Sequence, residues 1–376
     1  ANRTQALASV LAKEDVWRVT VVGPGPRDDR IRCEGESNRD NPSPTYEVRC
    51  CTARSGHRSN LLFRALGELR QVASLFHEVR KQNPDLVLVT VPSPFLMMVP
   101  FLFGRVLTII DVRDLVWEYL GAGSRSKKMA GKALKCFAKH ALARSSAVTA
   151  TNEHEAAGLY RLTGKNPTIL RNGLGEDRFR RLATIQPCNE FHDPVHIVYV
   201  GNIGLAQELD TLVSAVAGIP GFRVTLVGGG SDASRIEKLI AQEEADNITM
   251  TGPLPWEDAL EHCEKADVLY GQIGLAYTTA VPSKLFEYIA MGRPVLFAAP
   301  EGPAAEVMRQ FTGVKRLPPG DVDALLQTLR DLRQQGSPEL DVDSNRDLIY
   351  RCYLREAAVQ PLVGLAEELL QPSSDR

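Results

Sequence analysis

The residues best suited to chemistry are Lys284 and Glu287, three positions apart in the stretch from Ala280 to Pro294, AVPSKLFEYIAMGRP. On a helix that spacing puts both on one side. The flanking residues predict such a helix: Pro282 fits a first turn, Ser283 suits an N-terminal position, and Gly292 can end it with Pro294 just beyond. Its N-terminal end presents N–H groups and positive dipole character, which suit a phosphate, and Lys284 adds a formal charge. Glu287 is repelled by phosphate, yet a carboxylate accepts two hydrogen bonds from neighbouring sugar hydroxyls. A nucleotide diphosphate therefore fits the pair, with Lys284 and the helix end on the phosphates and Glu287 on the ribose. The plainer alternative is an amphipathic helix packed on a sheet with Glu287 solvated.

A second charged group, Arg113, Asp114 and Glu118, lies in DVRDLVWEYLG, Asp111 to Gly121. It follows Val106 to Asp111, an apolar, β-branched run that reads as a buried parallel strand. Ligands of open α/β sheets collect at the carboxyl ends of strands, so these three residues stand where a substrate would be. A structural ion-pair network at the rim is the alternative. The next segment, Ser124 to Ala143, has no acidic residue and carries Arg125, Lys127, Lys128, Lys132, Lys135, Lys139 and His140 among apolar residues. A basic amphipathic helix of this kind suits an anionic membrane surface or a lipid diphosphate, or else is a solvated face.

These groups need a scaffold, and the chain supplies alternating strands and helices. Arg3 to Ala12 is a helical pattern, Arg18 to Val22 a strand, and Gly25 to Pro44 a polar, mobile loop. Helix Asn60 to Val79 and strands Asp85 to Val91, Ala147 to Ala150 and Thr168 to Leu170 follow. A doubly wound domain normally opens on a strand and a glycine-bearing turn, so the expectation is that a strand is missing before Arg3. Asn172 to Pro194 reads as a linker. Beyond it come strands at His196, Val224, Ile248, Val268 and Val295 with helices between, a second parallel sheet. Two domains, 1–188 and 189–346, fit a chain of 376 residues, with the helical stretch 347–376 packing back on the first. Two such sheets leave a cleft between them.

Composition narrows the classes. A net charge of -2 gives no whole-molecule case for nucleic-acid binding, so none is expected as a partner. Seven cysteines without a CxxC pair resemble neither a disulfide framework nor a zinc site, which fits a reducing, cytoplasmic setting. Asp321, Asp323, Asp341 and Asp343 sit in two DVD sequences that read as turn and helix-cap residues, and no metal is expected. The run Gly228 to Gly230 lacks the full GxGxxG spacing of a dinucleotide fingerprint.

Together, VYVGNIGLAQELDTLVSAV, ITMTGPLPWEDALEHCEKADV and PSKLFEYIAMGRPV resemble the nucleotide-sugar domain of the retaining family 4 glycosyltransferases. DVRDLVWEYLG and RNGLGEDRF resemble the acceptor-side half of that family, particularly bacterial surface-polysaccharide enzymes of the N-acetyl-fucosaminyltransferase type. The resemblance implies an α/β GT-B fold, two facing Rossmann-like domains with a central cleft, the donor held mainly by the C-terminal one. It implies no cofactor and no metal, a nucleotide diphosphate sugar as donor (UDP before GDP), and a glycan or polyprenyl-diphosphate-linked acceptor at the inner face of the cell membrane. Polysaccharide or lipopolysaccharide synthesis is the implied role.

By the same resemblance Glu287 holds the donor ribose. The family's other motif glutamate falls on Thr279, a departure that bears on the transferred sugar. The family's diphosphate cations fall near Asn202 and Gln207, both neutral, leaving backbone N–H groups at Gly204, the helix end and Lys284. Gly229, Leu254, Pro282, Ser283 and Leu285 complete the implied donor pocket. A histidine often found beside the reacting sugar aligns with Arg113, which cannot act as a base because guanidinium stays protonated. Catalysis would then rest on Glu287 with Arg113 and Asp114 positioning the acceptor. A GT-B-fold sugar-nucleotide epimerase and a non-catalytic nucleotide-sugar binding protein are the competing readings.

Overall fold

The computed structural model describes residues 2–14, 16–25, 31–33, 46–52, 61–91, 93–119, 125–188 and 190–371. They divide into two compact units, Ala1–Arg171 with Arg355–Arg376, and Asn172–Leu354.

In the first unit, β1 (Thr20–Gly25), β2 (Ile31–Cys33) and β3 (Tyr46–Thr52) form one hydrogen-bonded set in the order β1-β3-β2. β3 is parallel to β1 and antiparallel to β2. β2, and Gly25 at the end of β1, fall inside the stretch read as a loop from Gly25 to Pro44, and its other residues lie outside the described ones. A second set, β4 (Leu86–Val91), β5 (Leu107–Val112), β6 (Ala147–Ala150) and β7 (Thr168–Ile169), is parallel and ordered as in the chain. Its strands are short and β-branched because helices cover them. The helix Arg125–Arg144 buries Ala138, Ala141 and Leu142 among Ile110, Val112, Trp117 and Leu159. Helix Asn2–Ala12 and the C-terminal helix Pro361–Leu370 meet over the same sheet, where Leu7, Val10, Leu362 and Val363 pack with Ile109 and Leu170.

The second unit is a single parallel sheet of β8 (Val195–Val200), β9 (Phe222–Val227), β10 (Ile248–Gly252), β11 (Val268–Gln272), β12 (Val295–Ala298) and β13 (Val314–Leu317), in the order β10-β9-β8-β11-β12-β13. The order reverses between β8 and β11, the topological switch point of a doubly wound sheet. One face packs against helices Asp210–Val216 and Val322–Gln335, the other against Trp256–Glu264 and Ser283–Ala290.

Two readings change. The supposed linker from Asn172 to Pro194 contains helix Glu176–Ala183, because Leu174, Phe179, Leu182 and Ile185 make an apolar face buried in the second unit. The unit boundaries accordingly fall at Arg171/Asn172 and Leu354/Arg355. The helical stretch from Asp347 to Leu370 is interrupted: helix Val342–Leu348 opens into a π-turn at Ile349–Tyr353, and Leu354 bridges Leu174 before helices Arg355–Ala358 and Pro361–Leu370. Asp321 and Asp341 are N-caps, accepting from Ala324 N and Ser344 N. No helix among the described residues is long and apolar enough to cross a membrane. No group of three or more His, Cys, Asp or Glu among them could hold a metal.

Candidate functional site

The helix Ser283–Ala290 starts where the sequence places it, with Pro282 as N-cap in an extended conformation and Gly292 left-handed just past the end. Leu285, Phe286, Tyr288 and Ile289 are buried, which pins the helix to the sheet and sets Lys284 in its opening turn with Glu287 just beyond on the same side. Glu287 is not solvated: only 8% of its side chain is exposed. Its Oε2 accepts from Lys284 Nζ at 2.9 Å, and its Oε1 from Arg178 Nη1 at 3.3 Å. Arg178 comes from helix Glu176–Ala183, and its guanidinium also lies over the Trp256 ring at 5.3 Å. Sequence reasoning missed both Arg178 and Trp256. They belong to RNGLGEDRF and GPLPWED, motifs quoted for other reasons, and nothing local says that they meet.

Lys284 is thus a carboxylate partner here rather than a free phosphate cation. Each carboxylate oxygen has a second lone pair, so Glu287 retains acceptor capacity for hydroxyls beside its two cationic partners.

The helix is tied to β8 by one side chain. β8 and β11 pair through Ile197–Val198 against Val268–Leu269. Past that point the Tyr288 hydroxyl accepts from Val200 N at 2.8 Å and donates to Val200 O at 3.1 Å. Tyr288 is fully buried, and burial pushes its hydroxyl well above the usual phenol value, so it stays a donor. It takes the place of a neighbouring strand where β8 runs out at the switch point.

The turn that follows gathers three of the expected residues. Gln207 Oε1 accepts from Asn202 Nδ2 at 3.1 Å and from Gly204 N at 3.2 Å. The Gly204 N–H expected to meet a phosphate is therefore occupied, and a diphosphate must displace Gln207 to use it. Gly229 belongs to the adjoining loop. A Cβ on Gly228 would overlap the Gly201 carbonyl, and one on Gly230 the Ile203 carbonyl. The glycine run thus lets two loops touch, a packing role. Leu254 follows β10, and Thr279 precedes Pro282 in the loop after β11, both half-buried. At the end of the first turn Glu208 holds a left-handed φ of 40°, and its carboxylate rests on Gly274 in the loop after β11.

In the first unit Arg113, Asp114 and Glu118 are exposed beyond β5. Asp111, at the end of that strand, is fully buried and serves structure. It accepts from Arg3 Nε at 2.9 Å, Arg3 Nη2 at 2.7 Å and Thr149 Oγ1 at 2.8 Å. Arg3 also donates to the Leu170 and Arg171 carbonyls, so one side chain joins the first helix to β5 and the end of β7. Nearby, Asn152 caps helix Glu153–Thr163, and Glu155 turns back to accept from Thr151 N and Oγ1 through Oε2. Glu155 Oε1 is buried with no partner among the described residues. Burial, with a smaller push from Asp114, raises its carboxyl to about 8 against the opposing Thr151 hydrogen bonds. The N-x-x-E spacing of a capping box signals the cap but not the burial.

On helix Arg125–Arg144, Lys128, Lys132, Lys135 and Lys139 are exposed. Met129 is 73% exposed and Phe101, stacked on Phe137, 46%. The side chains of Arg125 and Lys127 lie outside the described residues.

Residues 1–175 match the family model described as glycosyl transferase 4-like domain, and residues 183–350 the one described as glycosyl transferases group 1. Among solved structures, sucrose-phosphate synthase from Thermosynechococcus elongatus is 21% identical with a TM-score of 0.74, over 96% of this chain and 91% of that one. WaaG, a glycosyltransferase involved in lipopolysaccharide biosynthesis, is 14% identical with a TM-score of 0.68, over 99% and 96%. Anabaena HepE in complex with UDP and glucose is 13% identical with a TM-score of 0.63, over 98% and 96%. At these identities the likeness shows the fold, GT-B with two Rossmann-like domains. No curated protein sequence matches the chain.

Proposed function

Because residues 1–175 match a glycosyl transferase 4-like domain and residues 183–350 a group 1 glycosyl transferase domain, we propose that this protein moves a sugar, with retention, from a nucleotide diphosphate sugar to a glycan or lipid-linked acceptor. The observation that carries the donor assignment is the Glu287 carboxylate, buried one turn into the helix and bonded by Lys284 and Arg178. Its remaining lone pairs suit the two ribose hydroxyls, and the helix opening suits the diphosphate. A solved neighbour, HepE, holds UDP and glucose, and UDP is the nucleotide proposed here ahead of GDP.

Breaking the anomeric bond places negative charge on the leaving diphosphate and positive character on the sugar. Donors aimed at the leaving group supply most of the rate. In this reading the Ser283 N–H, the ammonium donors that Lys284 does not spend on Glu287, and the Asn202–Gln207 turn serve that role, while the Leu285 N–H is already given to the Pro282 carbonyl at 3.2 Å. The departing phosphate takes the acceptor proton, so no protein nucleophile is needed. Arg113 and Asp114 orient the acceptor, with Glu118 beside them, a positioning role whose loss costs orders of magnitude.

The setting proposed is the cytoplasmic face of a membrane, in surface-polysaccharide synthesis. The lysine row of helix Arg125–Arg144, beside exposed Met129 and Phe101, supports weak electrostatic attachment there. Incubation with a panel of UDP- and GDP-sugars and lipid-linked acceptors, followed by product analysis, tests the reading. A transferred α-linked sugar from an α-linked donor is expected. An epimerised nucleotide sugar, or binding without turnover, overturns it.

A further inference from the structure

Glu208 is a carboxylate that reaches from the loop after β8 to Gly274 in the loop after β11, across the switch point, and the transferase reading above gives it no task. It sits where a turn needs a left-handed residue, a conformation that glycine takes freely and a glutamate only under strain. The turn itself does not require the carboxylate. The Glu208 carbonyl accepts from Thr211 N at 3.2 Å, which any residue would do.

The side chain is nevertheless organised. A Cβ added to Gly274 would overlap Glu208 Oε1, so the carboxylate lies flat on that glycine. The Gln272 amide lies near enough to favour its charged form. Gln272 is itself buried and fixed, donating to Thr211 Oγ1 at 3.2 Å and accepting from the Tyr270 hydroxyl. The two loops are further joined by Gly274 N donating to the Ala206 carbonyl at 2.8 Å. Polar side chains packed in sequence behind a carboxylate hold it in one place, as a recognition group must be held.

Its position narrows the ligand. The crevice at the carboxyl ends of β8 and β11 is where a doubly wound sheet binds. A carboxylate there repels phosphate and accepts from hydroxyl or amide N–H groups. The sugar of a nucleotide diphosphate sugar is the portion that offers several adjacent hydroxyls. We propose that Glu208 is the specificity-determining carboxylate for the transferred sugar, accepting its hydroxyls from the loop after β8, with Gly274 as the surface on which it is set. The assignment rests on the donor reading given above. Half-burial and the neighbouring Asp210 raise its carboxyl, opposed by the Gln272 hydrogen bond, so its acceptor strength depends on that amide.

Calorimetric titration separates the sugar from the nucleotide. UDP, UDP-glucose, UDP-N-acetylglucosamine and GDP-mannose are titrated into the full chain and into Glu208→Gly, Glu208→Gln and Gly274→Ala. Glu208→Gly suits the local backbone and is expected to raise the melting temperature. For the sugar nucleotide that the unaltered chain binds best, Glu208→Gly and Gly274→Ala are expected to weaken binding at least ten-fold, and Glu208→Gln by less. Affinity for the matching nucleoside diphosphate is expected to move less than two-fold in all three. Equal losses for sugar nucleotide and nucleoside diphosphate would mean a structural role and overturn the proposal. So would unchanged sugar-nucleotide binding in Glu208→Gly. If the unaltered chain binds no sugar nucleotide, the donor reading fails, and this assignment fails with it.

Discussion

Arg178 and Glu287 are 109 residues apart in sequence, and the guanidinium of one donates to the carboxylate of the other at 3.3 Å while lying over Trp256. A carboxylate so held is aimed as well as charged. Replacing Glu287 by alanine removes a charged hydrogen-bond acceptor worth about 1.5–3 kcal/mol, or roughly ten- to a hundred-fold. Expected is a fall of that size in kcat/KM for the nucleotide sugar, with the far-ultraviolet circular dichroism unchanged. Arg178→Gln is expected to give a smaller loss, mainly in KM, since Lys284 still holds Oε2.

Tyr288→Phe tests the seam between β8 and the helix. It deletes the hydroxyl that satisfies both Val200 N and Val200 O, leaving two part-buried backbone groups open. The cost of each buried unsatisfied group is about 1–3 kcal/mol. A lowered denaturant midpoint with an unchanged m-value is expected in chemical unfolding. An unaltered midpoint would show that the hydroxyl does not hold the seam.

Glu155 makes stability depend on pH in a stated direction. Its carboxyl is raised from about 4.5 to about 8 in the folded chain. Below 4.5 both folded and unfolded forms are protonated. Between 4.5 and 8 the unfolded chain ionises while the folded chain keeps its proton, so stability falls as pH rises, by at most about 1.4 kcal/mol per pH unit. Glu155→Gln keeps the acceptor for Thr151 and removes the titration. Its melting temperature is expected to exceed that of the unaltered chain increasingly from pH 5 to pH 8, measured by thermal scans at fixed ionic strength.

Asp111→Ala leaves the Arg3 guanidinium buried without its carboxylate. Breaking one side of a buried pair typically costs about 3–5 kcal/mol. The loss is expected to show first as faster hydrogen exchange in helix Asn2–Ala12, because Arg3 links that helix to β5.

Neutralising Lys128, Lys132, Lys135 and Lys139 to glutamine tests the membrane face. At about 1 kcal/mol per lysine near an anionic surface, the four changes are expected to abolish flotation with phosphatidylglycerol vesicles at low salt. Flotation persisting in the quadruple variant would place attachment elsewhere.

The sequence by itself determined what depends on near neighbours. The alternation of apolar runs set most strands and helices of both halves, missing strands Tyr46–Thr52 and Val314–Leu317 and helix Val322–Gln335, and Pro282, Ser283 and Gly292 set the limits of the key helix. Lys284 and Glu287 meet because i and i+3 are adjacent on any helix. The glycine turn that gathers Asn202, Gly204 and Gln207 is equally local. Periodicity cannot report pairings between distant segments, and those decided the rest. Arg178 with Glu287, Tyr288 with Val200 and Arg3 with Asp111 are separated by 109, 88 and 108 residues. Glu208 reaches Gly274 only because the strand order reverses between β8 and β11. Helix Glu176–Ala183 looked like a linker because Phe179 and Leu182 are sparse among its charges, and their burial, with Leu174 and Ile185 on either side, against β8, β11 and the key helix is what makes it part of the core. Spacing fixed which residue types could act together. Parallel-sheet order, with each crossover helix carrying its own residues to one edge, fixed which of them do.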